Sequence, residues 1–463
     1  MNRREFLAAA ATALGTAGPG GAAAASRPNI LIITTDQQFA ESASYRIGSK
    51  DIRTPNMDSL AAAGMVFTRA YCANPLCVPS RGAMFTGRYP TETGIMDNDD
   101  RTKVHLDPKK FPMMGKIFRD AGYETAYYGK WHLALPEKEI QTHGFVKYDT
   151  KMEDPLTAAN VAAFLRAKHT APFLMMASFL NPHNIAEWSR GQKLPLGEVG
   201  TPPAPDQLPP LRTNSAPQAH EPDIVGTIRQ SYQAAPMFPV GGFDEKKWRE
   251  YIWAYYRLIE KVDKEIGVVL EALRETGLDK STLVILSADH GECMGSHGWN
   301  QKTILYEEAA RTQFVMSLPG VIRPGTTNHL VNTGIDLIPT IADYAGIPIP
   351  PALPGLSMRA AAEGRAGKDV RPYVVVSDRL IQGAEINGKL PTPDGRMLRG
   401  QKYKYTAFSE GRLRESLVDL DKDPGEMTNL AVDPKFSRIL AEHRAMLADW
   451  CRKTGDSFTV PGT

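Results

Sequence analysis

Four short apolar runs constrain this chain more than any other feature, because each is rich in strand-forming residues and each stops at chemically capable polar groups. Residues 29–35 run into Asp36 and Gln37, 123–128 into Gly129, Lys130, Trp131 and His132, 173–180 into Asn181, Pro182 and His183, and 282–287 into Asp289 and His290 just beyond Ala288. Strands that are apolar on both faces belong to a parallel sheet covered by helices on each side. In such sheets ligands bind beyond the carboxyl ends of the strands. The pattern therefore predicts an α/β fold, with a large, mostly parallel mixed sheet whose one edge receives carboxylate, lysine and imidazole from four separate segments.

Helical periodicity lies between these runs. It is clearest over residues 245–276, where Trp248, Ile252, Tyr255, Ile259, Val262, Ile266, Val269 and Leu273 recur at spacings of three and four. Residues 113–121 and 336–344 read as shorter helices, with Gly122 and Gly346 placed to stop them. Residues 195–222 hold eight prolines and few aliphatics, and read as a long loop over the body. From about residue 364 the composition shifts: 372–376, 400–405 and 416–420 read as antiparallel strands, followed by a helix over 436–451. The expected organisation is a catalytic α/β domain over residues 26–363 and a smaller C-terminal α+β domain over 364–463.

The start of the chain reads as an export signal. Arg3 and Arg4 precede an apolar, alanine-rich run, and Ala22 to Ala25 supply small residues for cleavage, the order found in twin-arginine signal peptides. Gly15, Gly18 and Pro19 interrupt the run short of the roughly 20 apolar residues that a membrane span needs. Residues 1–25 are thus expected to be removed, leaving a periplasmic or secreted protein with no membrane span. Lysine plus arginine number 54 against 52 aspartate plus glutamate, which excludes a strongly basic nucleic-acid binder. Four cysteines in 463 residues make no disulfide framework.

One cysteine has a distinctive setting. In the segment from Cys77 to Gly87, Pro79 near the first turn and Gly87 at the end frame a short helix, on which Cys77 and Arg81 share a face at the positive N-terminal end. A thiolate would be stabilised there, so these residues alone leave open a nucleophile and a buried structural cysteine.

Cys77-Val78-Pro79-Ser80-Arg81, with Thr86-Gly87 following, resembles the signature of the sulfatase family, within the alkaline-phosphatase-like superfamily. A second signature is similar over Gly122 to His132, ending Gly129-Lys130-Trp131-His132, and further likenesses are Asp36, Pro182-His183, Ser287 to Glu292, His297-Gly298, Lys302 and the stretch from Leu417 to Glu426. The resemblance implies that Cys77 is matured to formylglycine by a formylglycine-generating enzyme. One hydroxyl of the hydrated aldehyde then attacks sulfur, and the second loses its proton as sulfate is expelled. It also implies a divalent cation held by Asp36, Gln37, Cys77, Asp289 and His290. Repulsion between two carboxylates on neighbouring strand ends argues for a cation independently.

By the same resemblance Arg81 orients the hydrate, Lys130 and Lys302 bind sulfate oxygens, His132 is the base for sulfate elimination and His183 the acid for the leaving alcohol, with Lys302 beside it. His297 lines the pocket or supports Lys302. Calcium is the family default; the Gln37 and His290 pair, in place of the commoner acidic and amide residues, is similar to choline sulfatases and phosphonate monoester hydrolases and shifts the balance toward manganese or another transition ion. The leading expectation is an exported sulfatase acting on a sulfated saccharide. The alternatives are a phosphonate monoester or phosphodiester hydrolase, a choline sulfatase, or, with Cys77 unmodified, a pseudoenzyme that binds sulfated glycans.

Overall fold

The computed structural model describes residues 27–104, 106–365, 371–381 and 383–463. The export signal expected over residues 1–25 lies outside them.

The four apolar runs become strands that lie side by side. With β1 as Asn29–Asp36, β2 Met65–Tyr71, β3 Glu124–Gly129, β4 Lys147–Asp149, β5 Phe173–Pro182, β6 Thr282–Ala288, β7 Phe314–Ser317 and β8 Gly325–Asn332, the large sheet has the order β4-β3-β5-β1-β6-β7-β2-β8. The strands pair in parallel except at β7, which runs antiparallel to both β6 and β2. All residues of β5 and β6 are buried, and all of β1 but its first.

The period-two alternation of a strand divides β1 between two cores. Ile30 and Ile32 pack with Met84, Phe85, Ile338 and Ile341 on one face. Leu31 and Ile33 pack with Tyr255, Ile259 and Val262 on the other. Those residues come from the helices Cys77–Thr86, Leu337–Ala345 and Glu245–Glu275, so each helical stripe read from the sequence has found its sheet face.

The C-terminal part forms a four-stranded antiparallel sheet, order β12-β11-β10-β9, from β9 Val374–Arg379, β10 Asp394–Arg399, β11 Tyr403–Phe408 and β12 Glu415–Asp419, followed by the helix Ser437–Thr454. It is joined to the large sheet through a shared cluster that includes Tyr71, Leu330, Val376 and Phe408, and through the buried pair of Arg371 with Asp336 at 2.6 Å. The proline-rich stretch is irregular apart from one short turn of helix, as expected. Two further helices, Ile185–Ser189 and Asp223–Ala234, flank it. All four cysteines are free and buried. No helix among the described residues is long and apolar enough to cross a membrane.

At Gly129, where β3 delivers its functional residues, φ is +101° and an added Cβ would stand 2.0 Å from the Ser178 carbonyl oxygen. Backbone atoms of two hydrogen-bonded strands cannot yield that distance. Gly122 also has positive φ, +89°, but opens onto free space. Gly129→Ala is expected to cost about 3 kcal/mol of stability and Gly122→Ala about 1 kcal/mol, a ranking that urea denaturation of the two variants would measure.

Candidate active site

Strand register builds the site. Thr35 pairs with Ala288, so the next residues, Asp36 and Asp289, emerge side by side from β1 and β6. Asp36 is also level with Pro182 on β5, and Gly129 of β3 with Ser178. Lys130, His132 and His183 therefore leave adjacent strand ends. The helix Cys77–Thr86 is wholly buried, closed by Gly87 in the left-handed region, and its first turn faces these ends. Ser80 Oγ donates to the Asp289 carbonyl at 2.5 Å, and the Val78 N–H is capped by Asn98 Oδ1 at 3.0 Å.

Cys77 Sγ is the centre of the cluster. His290 Nε2 lies 3.2 Å away, Lys302 Nζ 3.3 Å, Lys130 Nζ 3.8 Å and Asp36 Oδ1 3.9 Å. His132 and His183 also lie beside it. Burial opposes ionisation of the thiol, but Lys130, Lys302 and His290 outweigh it and hold the group well below the ordinary thiol range. Burial and Cys77 likewise push Asp36 toward its neutral form, while Lys130, His183 and Lys302 hold the carboxyl below the usual range. His183 is pushed down by burial, then by Lys130 and Lys302, so its imidazole is neutral near neutral pH.

Each of the proposed metal-binding groups is fixed from behind. Asp289 Oδ1 accepts from the Gln37 and His290 backbone N–H groups at 3.1 and 2.9 Å. His290 Nδ1 lies 3.0 Å from the Gly291 carbonyl, which can only accept, so Nδ1 carries the hydrogen and Nε2 is aimed at Cys77. One ligand atom each from Asp36, Cys77, Asp289 and His290 falls within 4.8 Å of all the others, fully buried, a set of two carboxylates, one imidazole and one residue-77 atom that fits a divalent cation. Gln37 joins them with a qualification: its Oε1 already accepts from Lys302 Nζ at 2.6 Å, and its Nε2 donates to Glu292 Oε2 at 2.6 Å.

Arg81 differs from the sequence expectation. Its guanidinium is spent on the carboxylates rather than on residue 77: Nε donates to Asp289 at 2.9 Å, Nη2 to Asp36 at 3.4 Å, and Nη1 to Ser178 Oγ and the Lys130 carbonyl at 2.8 and 2.9 Å. It locks four strand ends together. His297 also departs from expectation. It stacks on Tyr306 with ring centres 3.8 Å apart, lies beside Asn214 and Glu308, and is pushed down to about 4 by burial, away from the Cys77 cluster.

Two buried carboxylates escaped the sequence reading. Glu292 accepts from Gln37, Tyr251, Met294 N–H and Gln301 N–H, so it orients the Gln37 amide and the start of the Lys302 segment together. Asp154 accepts from the Leu180 and Asn181 N–H groups and the Asn181 amide, fixing the strand end that carries His183. Glu292 was visible as part of the Asp289 segment; Asp154 had no local signal.

Removing Arg81 would leave two buried carboxylates facing each other. Arg81→Met is expected to cost about 3 to 5 kcal/mol. In a double-mutant cycle in urea, adding Asp289→Asn should return more than about 1 kcal/mol of that loss; strictly additive costs would show that the pair is not coupled.

The sulfatase family model matches residues 28–347, and the N-sulphoglucosamine sulphohydrolase C-terminal model matches residues 295–453. A Δ4,5-hexuronate-2-O-sulfatase of Bacteroides thetaiotaomicron is 33% identical over 452 residues, covering 94% of this chain and 91% of the relative. An ulvan-active sulfatase of Formosa agariphila is 28% identical, covering 93% and 82%. Among solved structures, a 2-O GAG sulfatase is 31% identical and superposes with a TM-score of 0.81 over 95% of each chain. With the family model matched over most of the chain and a relative 33% identical along nearly its whole length, this chain belongs to the sulfatase family of sulfuric ester hydrolases.

Proposed function

We propose that this sulfatase is exported through its twin-arginine signal, carries Cys77 as formylglycine, and removes sulfate from a sulfated saccharide with the help of a divalent cation. The observation that carries the reading is the setting of Cys77, whose sulfur lies within 3.2 to 3.9 Å of His290, Lys302, Lys130 and Asp36. The saccharide substrate is supported by the relatives named for hexuronate, ulvan and GAG sulfates. Asp36, Asp289 and His290 would hold the cation, with Gln37 Oε1 and residue 77 completing the set; calcium is the family default, and the imidazole and amide in this set admit manganese. When bound, the cation supplies a Lewis acid beside residue 77 and offsets the charge of the two carboxylates.

The chain's own groups divide the remaining work. Lys130 and Lys302 flank residue 77 and bind sulfate oxygens, so charge developing there meets fixed, buried ammonium groups. Arg81 holds both carboxylates and keeps the strand ends in register. His132, whose Nδ1 is buried with no hydrogen-bond partner among the described residues, takes the proton from residue 77 as sulfate leaves. His183 gives a proton to the leaving alcohol. Burial, and then Lys130 and Lys302, keep that proton off in the free enzyme, and an arriving sulfate offsets the two lysine charges and draws it on.

Mass spectrometry of the tryptic peptide around Cys77 should show the aldehyde in the exported protein, and Cys77→Ala should fold but release no sulfate. Chelation should abolish activity, with metal analysis giving a single divalent ion per active chain. Full activity from an unmodified thiol, or from metal-free protein, would overturn the reading, as would preference for a phosphonate or phosphodiester over every sulfate.

Because the free-enzyme His183 titrates below the ordinary imidazole value of 6.5, its acid form is lost as pH rises through that lower range. The kcat/KM on a saccharide sulfate should therefore climb as pH falls below about 6.5, until the acid form is fully populated. His183→Ala should lose about 10²- to 10⁴-fold on a saccharide sulfate and far less on 4-nitrophenyl sulfate, whose leaving group needs no proton.

A further inference from the structure

Beyond His183 the chain makes the single helical turn Ile185–Ser189, and residues three and four apart share a side of it. That geometry brings His183, Glu187 and Arg190 together on one wall of a cavity of about 360 Å³, with Lys302 also in its lining and Met237 and Phe238 among its apolar part. The volume lies in the range of small-molecule sites. Met237 is 57% exposed, an apolar side chain held in water beside a charged wall.

Arg190 is the fixed cation of that wall. Its Nε donates to Gln192 Oε1 and its Nη2 to Glu187 Oε1, both at 2.8 Å, while Glu187 Oε2 accepts from Asn184 Nδ2 at 3.2 Å. One edge of the guanidinium is thus anchored. Among the described residues Nη1 has no hydrogen-bonded partner, so Nη1 and the second Nη2 hydrogen form a free fork on a side chain only 14% exposed. Two parallel donors in a plane match the two oxygens of a carboxylate, and partial burial strengthens the contact. A sulfate would bring a third charged oxygen out of that plane beside Glu187; a carboxylate has none. Lys302, bonded to Gln37 and close to Cys77, is already committed to the sulfate ester. A second, separately anchored guanidinium in the same cavity, with donors to spare beyond its pair with Glu187, offers a place for a second negative group on the same substrate.

We propose that Arg190 is a specificity-determining residue that binds the carboxylate of a sulfated uronic acid, with the apolar face of the sugar ring toward Met237 and Phe238. This rests on the saccharide reading above and adds to it the group that is recognised and the residue that recognises it.

The test compares kcat/KM on three substrates: a disaccharide carrying a sulfated uronic acid, the same disaccharide with its carboxyl reduced to the alcohol, and a sulfated hexosamine disaccharide. Wild-type enzyme should prefer the first over the second by about 10- to 100-fold. Arg190→Met should bring that ratio to near one, chiefly through KM, and Arg190→Lys should keep a reduced preference, since the charge remains and the planar fork is lost. Equal wild-type rates on acid and alcohol overturn the proposal without reference to any variant, as does a ratio that survives Arg190→Met. Equal or better hydrolysis of the sulfated hexosamine overturns it while sparing the saccharide reading. No sulfate release from any of the three overturns both.

Discussion

Two carboxylates set next to each other by strand register are the constraint on which this structure depends. Thr35 opposite Ala288 places Asp36 and Asp289 at neighbouring strand ends with no exposure to solvent. Like charges so buried require compensation. Arg81 provides part of it, and to do so its helix must be held against the sheet with its N-terminus at the strand ends, which is also what puts Cys77 there. Lys130 and Lys302 supply more positive charge than the carboxylates alone need in a resting protein. That excess lowers the proton affinity of Cys77 and His183, and it suits an incoming anion. The nucleophile, the anion site and the fold of the central sheet are thus parts of one electrostatic arrangement.

The sequence exposes four adjacent strands of this sheet and hides the short or half-exposed ones around them, for a physical reason. Strands β3, β5, β1 and β6 are buried on both faces and write themselves as continuous apolar runs. β8 is mostly polar and exposed over its first residues, β7 is four residues long and β4 three, so none carries a period long enough to read. The long helix Glu245–Glu275 is legible because one stripe faces the sheet over its whole length. The helix Asp223–Ala234 sits beside a proline-rich stretch that masks its weaker stripe.

Within the site, legibility follows chain locality. Asp36, Cys77, Lys130, His132, His183, Asp289, His290 and Lys302 each stand at the end of a readable element or inside a compact pattern, and the fold brings all of them together. What could not be read is how they are aimed. Arg81 reads as a partner of Cys77 because the two share a helix face, yet the strand ends present two carboxylates to its guanidinium at 2.9 and 3.4 Å, and those contacts win. His297 reads as part of the pocket because Lys302 is five residues away. A left-handed backbone at His297, φ 54°, turns it instead toward Asn214 and Tyr306.

Backbone conformation around the site explains why the aiming is stable. Gln37, His132, Gln301 and Thr303 all hold positive φ, a conformation that costs non-glycine residues energy and persists only where the surroundings fix it. The Tyr255 hydroxyl donates to the Gln37 carbonyl at 2.7 Å, and Glu292 accepts from the Gln301 N–H and the Gln37 amide at 2.6 Å each. The Thr303 N–H donates to the Pro75 carbonyl at 3.1 Å, tying the Lys302 segment to the approach to Cys77. Glu292 is therefore the point where the first strand, the Lys302 segment and, through Tyr251, the long helix are joined. Because its Oε2 takes the Gln37 NH2, the amide oxygen must face Lys302 and the cluster. An acidic residue at position 37 would repel Glu292 from the same place, so Gln37 and Glu292 are a matched pair, and the amide at 37 follows from the architecture that supports it.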